Sequence, residues 1–251
     1  DETGDYWTIS WQPVGKDKAK YSCRHGLSYV KYLCDYSDIH AEQKLFAAMD
    51  EPVELWDVRL RNDSGRPRRL SVFSYLEFSF HHVAMDNQNF QMSLYAAGSR
   101  YVDGVIEYEL HYEENGYQFF TADFTPDGFD CLRDSFLGPY RTERDPIAVE
   151  TGECEIPGQK GGNHCGVLKK SMTLAPGEER RLLFLLGEGG LEAGKAAKAR
   201  WTAEKADEDF ARLARFWDDK LSCLQVSTPN EGMNTELNIW NLYQSEINVM
   251  F

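Results

Sequence analysis

Residues 56–80 read WDVRLRNDSGRPRRLSVFSYLEFSF. Trp56, Val58 and Leu60 alternate with Asp57, Arg59 and Arg61, and Leu70, Val72, Leu76, Phe78 and Phe80 resume the period of two further on. Successive side chains of a strand point to opposite faces, so this alternation describes strands that each bury one face. Asn62-Asp63-Ser64-Gly65 lies between the runs and supplies residues that tolerate positive φ, which predicts a hairpin. Phe73 and Tyr75 add apolar bulk on the other face of the second run, which predicts a strand covered on both sides, as in the middle of a large sandwich.

Similar units recur along the chain. Val105–Tyr112, Tyr117–Phe124 and Gly166–Leu174 carry the same period, and Pro176-Gly177 turns the last of these into Arg180–Leu186. Many short strands with almost no helix from about Tyr6 to Leu186 predict a mainly β protein built as one large antiparallel β-sandwich. After Gly187-Glu188-Gly189-Gly190 the period changes to about 3.6. Phe210, Leu213, Trp217, Leu221 and Leu224 form one amphipathic helical stripe, and Met233, Leu237, Trp240 and Ile247 form a second beyond Pro229-Asn230. The expected division is a sandwich over 1–190 and a helical linker over 191–251. The second stripe is still running at Phe251, and the first residue is Asp1, so both ends read as cut, with a further domain expected after the helices.

Composition bounds the function. The 251 residues are 42% hydrophobic and 13% aromatic, enough to bury a core. A net charge of −14, from 27 basic and 41 acidic residues, repels a phosphate backbone and argues against nucleic acid as a partner. The longest wholly apolar run, Leu182 to Leu186, is far short of the roughly 20 residues that cross a bilayer, so no membrane partner is expected. Cys23, Cys34, Cys131, Cys154, Cys165 and Cys223 show no CxxC spacing, which favours a reducing, cytoplasmic setting. Cys154, His164 and Cys165 lack a second close pair to complete a tetrahedral set, so no metal is assigned.

Several constellations have both a structural and a functional reading. Asp130 and Asp134 flank Arg133 at a spacing that brings carboxylates together only on a helix; in strand-rich surroundings a structural ion pair to Arg133 is expected. His81 and His82 are adjacent, so on a strand they point to opposite faces and at most one faces a site. Gly158, Gly161 and Gly162 around Lys160 lack the spacing of a phosphate cradle and predict a hairpin loop. The segment HHVAMDNQNFQMSLY, residues 81–95, places Asp86 and the amides Asn87, Asn89 and Gln91 beside Phe90 and Met92. Amides that donate and accept, next to an aromatic ring, suit sugar hydroxyls and ring faces; satisfying loop backbone is the competing role.

Five stretches also resemble a known family: residues 21–29 (YSCRHGLSY), 60–64 (LRNDS) with 70–78 (LSVFSYLEF), 89–92 (NFQM), 129–141 (FDCLRDSFLGPYR) and 174–179 (LAPGEE). In order and extent they are similar to the amino-terminal region of the cellobiose phosphorylase family, glycoside hydrolase family 94, formerly glycosyltransferase family 36. The resemblance implies a galactose-mutarotase-like supersandwich, then linker helices, then an (α/α)6 barrel beyond the end of this chain that carries the catalytic acid, leaving no catalytic residue here. It implies reversible, inverting phosphorolysis of a β-linked disaccharide to α-glucose 1-phosphate and a free sugar. Inorganic phosphate is then a co-substrate, no cofactor is needed, and the partners are a small oligosaccharide, phosphate and a second copy in a homodimer. It also implies that the loop at Gln91 approaches the acceptor-sugar subsite of its own or the partner's active site, with Gln91 the candidate contact and Asn89 and His82 behind it. Cellobiose-specific members usually carry Arg where this chain has Met92, and exchanging a guanidinium for a thioether changes what the subsite can hold. The rival reading is a non-catalytic carbohydrate-binding sandwich.

Overall fold

The computed structural model describes residues 1–78, 91–112 and 114–250, and among these residues thirteen strands build two sheets. The larger sheet contains β1 (Lys20–Gly26), β2 (Tyr29–Tyr36), β3 (Ile39–Ala47), β4 (Val53–Asn62), β7 (Ala97–Val102), β8 (Val105–Tyr112), β9 (Glu114–Ala122) and β13 (Glu179–Glu188). Its order is β1-β2-β3-β4-β13-β9-β8-β7, antiparallel throughout. The smaller sheet runs β11 (Glu155–Ile156), β10 (Gly128–Leu132), β12 (His164–Leu174), β5 (Arg68–Phe73), with β6 (Leu76–Glu77) also on β12. Only its β10–β11 pair is parallel among the described pairings.

The centre of the large sheet is buried on both faces, whereas its edge strand β1 is mostly exposed. Ile106, Phe120, Leu182 and Phe184 pack toward Leu70, Leu168 and Leu174 of the small sheet. On the other face Leu55, Val105, Phe119, Leu183 and Leu185 pack toward Ala197, Trp201, Leu213 and Trp217 of the helical segment. β13 sits centrally and needs apolar side chains on both sides, which is why its sequence is the continuous run Leu182 to Leu186 instead of an alternation. Each fully buried side chain of this size contributes about 1.5–3 kcal/mol.

The stretch 56–78 contributes to three strands, β4, β5 and β6, and β4 and β5 do not form a hairpin. β4 pairs with β3 and β13 in the large sheet, whereas β5 pairs with β12, placing Leu70 opposite Met172. The chain crosses between sheets at Asn62, which is fully buried. Its amide donates to the carbonyls of Arg66 (2.7 Å) and Leu174 (3.0 Å), and its Oδ1 accepts from the Ser64 backbone. The turn residues therefore change layer instead of reversing direction within one. Coverage on both faces is observed only at the end of β5: Leu70 and Val72 belong to the core between the sheets, Arg69 and Ser71 on the other face are exposed, and Phe73, with Tyr75 just beyond the strand, packs on Phe136 and Val167.

Short helices interrupt the strands: α1 (Gln91–Ala96), α2 (Arg133–Leu137) and α3 (Ile147–Thr151). After β13 come α4 (Leu191–Arg200), α5 (Ala203–Leu221), α6 (Glu231–Thr235), a π-turn over Glu236–Trp240, and α7 (Asn241–Met250). The Thr202 hydroxyl caps α5 by accepting from Lys205 N, and the apolar stripe Leu213, Trp217, Leu221 is buried; Leu224 lies beyond the helix and is exposed. The second stripe is partly satisfied, because Tyr243 packs on Trp217 with ring centroids 4.8 Å apart, while Met233 and Trp240 remain exposed. An ion-pair network also ties α5 to the sheet. Arg181 donates twice to Asp57 (2.7 and 2.9 Å) and twice to Asp207 of α5 (2.8 Å each), and Lys44 stands 3.3 Å from Asp57.

Candidate functional site

The described residues on either side of the segment that carries the candidate acceptor contacts, Phe78 and Ala96, meet at one place. Phe78 stacks on Tyr108 of β8 with ring centroids 4.8 Å apart and planes 4° from parallel. The chain is described again from Gln91, where α1 begins; Ala96 at its end packs with Phe78 against Tyr108 and Leu110. Gln91 and Met92 thus occupy the first two positions of α1, while His81, His82, Asp86, Asn87, Asn89 and Phe90 lie outside the described residues.

The glycine-rich loop holds this return. It is not a hairpin, because β11 and β12 do not pair with each other and β10 lies between them. Gly162 N donates to Leu94 O (2.9 Å) and Gly161 N to Ala97 O (2.7 Å), clasping the end of α1. Ser99 N donates to Gln159 O (3.0 Å) and Tyr101 N to Pro157 O (2.9 Å), so the loop also covers the outer edge of β7. Gly161 has φ +72°, and a Cβ there would lie 2.8 Å from Leu94 O; at Gly158 (φ +98°) it would lie 2.3 Å from Ser99 O. Close backbone approach, not phosphate, explains these glycines.

Two cavities open on the face of the large sheet that looks toward the small one. The first, of about 680 Å³, is lined by Glu54, Tyr108, Leu110, Gln118, Leu186 and Glu188. Strand register assembles it: Glu54 lies opposite Leu186, Glu188 opposite Gln118, and Gln118 opposite Tyr108. The second, of about 330 Å³, is lined mainly by aromatic and aliphatic groups, including Trp7, Trp56, Tyr75 and Phe136, with Gln43 and Glu143. The Trp56 indole of the second donates to Glu54 of the first (2.6 Å). Sequence reasoning missed Glu54 and Gln118 because residues 64 positions apart become neighbours only through the register of β4, β13 and β9.

The acidic pair singled out in the sequence does not form the ion pair expected with Arg133. Asp130 is 2% exposed on β10, where it accepts from Ile156 N (3.1 Å), and burial pushes its carboxyl up to about 6. Asp134 is exposed on α2. Neither pairs with Arg133, which instead binds Glu77 (2.9 Å) and Glu143 (3.0 Å). Ser99 Oγ and His164 Nδ1 are 2.7 Å apart, both residues are buried, and burial lowers the His164 pKa, so the pair pins β7 to β12 around a neutral imidazole. The six cysteines are free thiols, and burial raises Cys34 to about 11. Among the described residues, no group of three His, Cys, Asp or Glu side chains is placed to hold a metal ion, and no helix is long and apolar enough to cross a membrane.

Residues 1–212 match the family model for the glycosyl hydrolase 94 supersandwich domain. The chain belongs to that family. It is 46% identical to N,N'-diacetylchitobiose phosphorylase of Vibrio proteolyticus over all of this chain and 32% of that protein. It is 31% identical to solabiose phosphorylase of Paenibacillus borealis, over 95% of this chain and 32% of the relative. It is 25% identical to 3-O-beta-D-glucopyranosyl-beta-D-glucuronide phosphorylase of the same organism, with the same coverage. The chain spans about a third of the length of these curated relatives. Its two sheets are the supersandwich, as the resemblance implied, and these three relatives are phosphorylases.

Proposed function

We propose that this chain is the amino-terminal part of an inverting disaccharide phosphorylase whose substrate is N,N'-diacetylchitobiose. The observation that carries the reading is 46% identity along the whole chain to a phosphorylase named for that disaccharide. In the proposed reaction phosphate attacks the anomeric carbon of the non-reducing sugar from the face opposite the glycosidic bond. A carboxylic acid protonates the departing oxygen, and the products are N-acetyl-α-glucosamine 1-phosphate and N-acetylglucosamine. Phosphate is already an anion, so it needs no general base. The acid and the cations that hold phosphate belong to the remaining two-thirds of the protein, an (α/α)6 barrel after the helices from residue 191 onward. A net charge of −14 supports this placement, because an acidic sandwich is a poor anion receptor.

In this reading the segment 89–92 approaches the acceptor side of the active site, in its own subunit or the partner's within a cytoplasmic homodimer. Gln91 contacts the acceptor sugar, with Asn89, His82 and Met92 beside it. Met92 supports an acceptor other than glucose, since a thioether suits the N-acetyl group's methyl better than a guanidinium does. The test is to incubate the full-length protein with phosphate and, separately, N,N'-diacetylchitobiose, cellobiose, laminaribiose and cellobionic acid, and assay the sugar 1-phosphate. Turnover of N,N'-diacetylchitobiose well above the others is expected; preference for another disaccharide overturns the substrate assignment, and no sugar phosphate from any overturns the reaction. In the synthetic direction Gln91→Ala should raise the acceptor KM about tenfold, a lost hydrogen bond of about 1.4 kcal/mol, and unchanged kinetics would remove Gln91 from the site.

A further inference from the structure

We propose that the cavity bounded by Glu54, Gln118, Glu188 and Leu186 is a binding site for a neutral saccharide. This rests on the reading above only for the choice of sugar, an N-acetylglucosamine oligosaccharide. The cavity holds about 680 Å³, room for a pyranose, and it lies on the rigid, centrally paired strands β4, β13 and β9. Of the carboxylates that line it, Glu51 is paired with Arg200 (2.6 Å), whereas among the described residues no Lys or Arg pairs with Glu54 or Glu188. Among these residues Glu54 accepts a single hydrogen bond, from Trp56, and Gln118 and Glu188 make no side-chain hydrogen bond. Two carboxylates without cations repel phosphate and other anions, so the ligand is not anionic. Carboxylate oxygens accept from hydroxyl and amide N–H groups, and the Gln118 amide both donates and accepts. Sugar hydroxyls present donors and acceptors together, and Leu186 and Leu110 offer an apolar wall for the C–H face of a pyranose ring. Trp56, held by Glu54, extends the wall toward the aromatic cavity. A carboxylate, an amide and an apolar wall within one concavity match a polyol with one apolar face.

The experiment is hydrogen–deuterium exchange with mass spectrometry on the full-length protein, with and without saturating N,N'-diacetylchitobiose, which reads each strand separately. Slower exchange is expected in peptides covering 51–57, 116–120 and 186–189, saturating with sugar concentration. Glu54→Gln keeps an acceptor for Trp56 while removing the charge, and Gln118→Ala removes the amide; each should weaken the concentration dependence at these peptides about tenfold. A thermal melt of each variant establishes folding, and if one fails to fold the other decides. No protection in these peptides overturns the proposal, as does protection that both folded variants retain, or protection produced by a divalent cation and not by sugar. Phosphorolysis measured on the same samples separates the two readings: protection without turnover leaves this site standing and removes the proposed reaction, and turnover without protection does the reverse.

Discussion

Asp130→Asn should make the sandwich more stable at neutral pH, although it alters a buried, hydrogen-bonded side chain. Asp130 is 2% exposed and has no cation beside it; its partners are the Ile156 N–H at 3.1 Å and the Cys154 thiol. Burial outweighs these hydrogen bonds and raises its carboxyl from an ordinary 3.8 to about 6. The folded state therefore binds the proton more tightly than the unfolded chain does, and unfolding becomes easier as pH rises. The loss begins above the unfolded pKa near 3.8 and is complete above about 6. At about 1.4 kcal/mol per pH unit, a displacement of this size costs the folded protein about 3 kcal/mol at pH 7.5. Asparagine is isosteric, keeps an oxygen for the Ile156 N–H and carries no charge, so the variant escapes that loss. Urea unfolding of the 251-residue chain at pH 4, 5, 6 and 7.5 measures it through the midpoint at constant m. The wild type should lose ground to Asp130→Asn progressively between pH 4 and 6, then run parallel to it. Parallel curves throughout, or a wild type that gains on the variant as pH rises, would refute the burial argument.

Three further outcomes follow from the packing. Gly161→Ala forces a Cβ to 2.8 Å from Leu94 O at φ +72°, and should destabilise the clasp on α1 by about 1–3 kcal/mol while raising the acceptor KM of the full-length protein; a thermal melt and synthetic-direction kinetics check it, and unchanged values in both would show the clasp to be unimportant. Arg181→Ala leaves Asp57, 2% exposed, with only Lys44 at 3.3 Å and Arg59 at 3.7 Å, and should cost about 3 kcal/mol, whereas Arg181→Met with Asp57→Leu should cost clearly less; denaturant midpoints of the two variants decide. Trp217→Ala removes the ring shared by α5, α7 and the sheet, with its Ser28 hydrogen bond, and should cost about 3–5 kcal/mol; a loss below 1 kcal/mol would show that the helices are not packed on the sheet in solution.

Local chemistry made most strands legible. The alternation over Val105–Tyr112 gives β8 with both ends correct, and Gly166–Leu174 and Arg180–Leu186 lie inside β12 and β13. What failed depends on partners far away in sequence. Asn62 to Gly65 has turn chemistry whether the chain reverses within a sheet or passes to another, and the choice is made by the pairing of β5 with β12, a hundred residues on. Arg133 sits between two aspartates but is claimed by Glu77 and Glu143 across the fold. Helix α4 falls within the helical segment expected over 191–251 but shows no stripe of its own, because it docks through small residues: Gly194 and Ala197 are its buried positions, and a Cβ on Gly194 would lie 2.5 Å from Val105. Its N-terminus is capped by Glu107 from β8, which accepts from Leu191 N, a contact no local pattern announces. The sugar-compatible segment 81–95 was visible by composition, whereas the cavity beside its ends was not, because strand register alone brings Glu54 to Gln118 and Glu188.

The central claim is that this supersandwich belongs to an enzyme that transfers a sugar to phosphate with inversion. Nuclear magnetic resonance of the full-length protein acting on N,N'-diacetylchitobiose and phosphate tests it most directly. The account predicts equal amounts of free N-acetylglucosamine and its 1-phosphate, with the first-formed phosphate ester as the α-anomer. Two equivalents of free N-acetylglucosamine without phosphate ester, or a β-anomer, would contradict it.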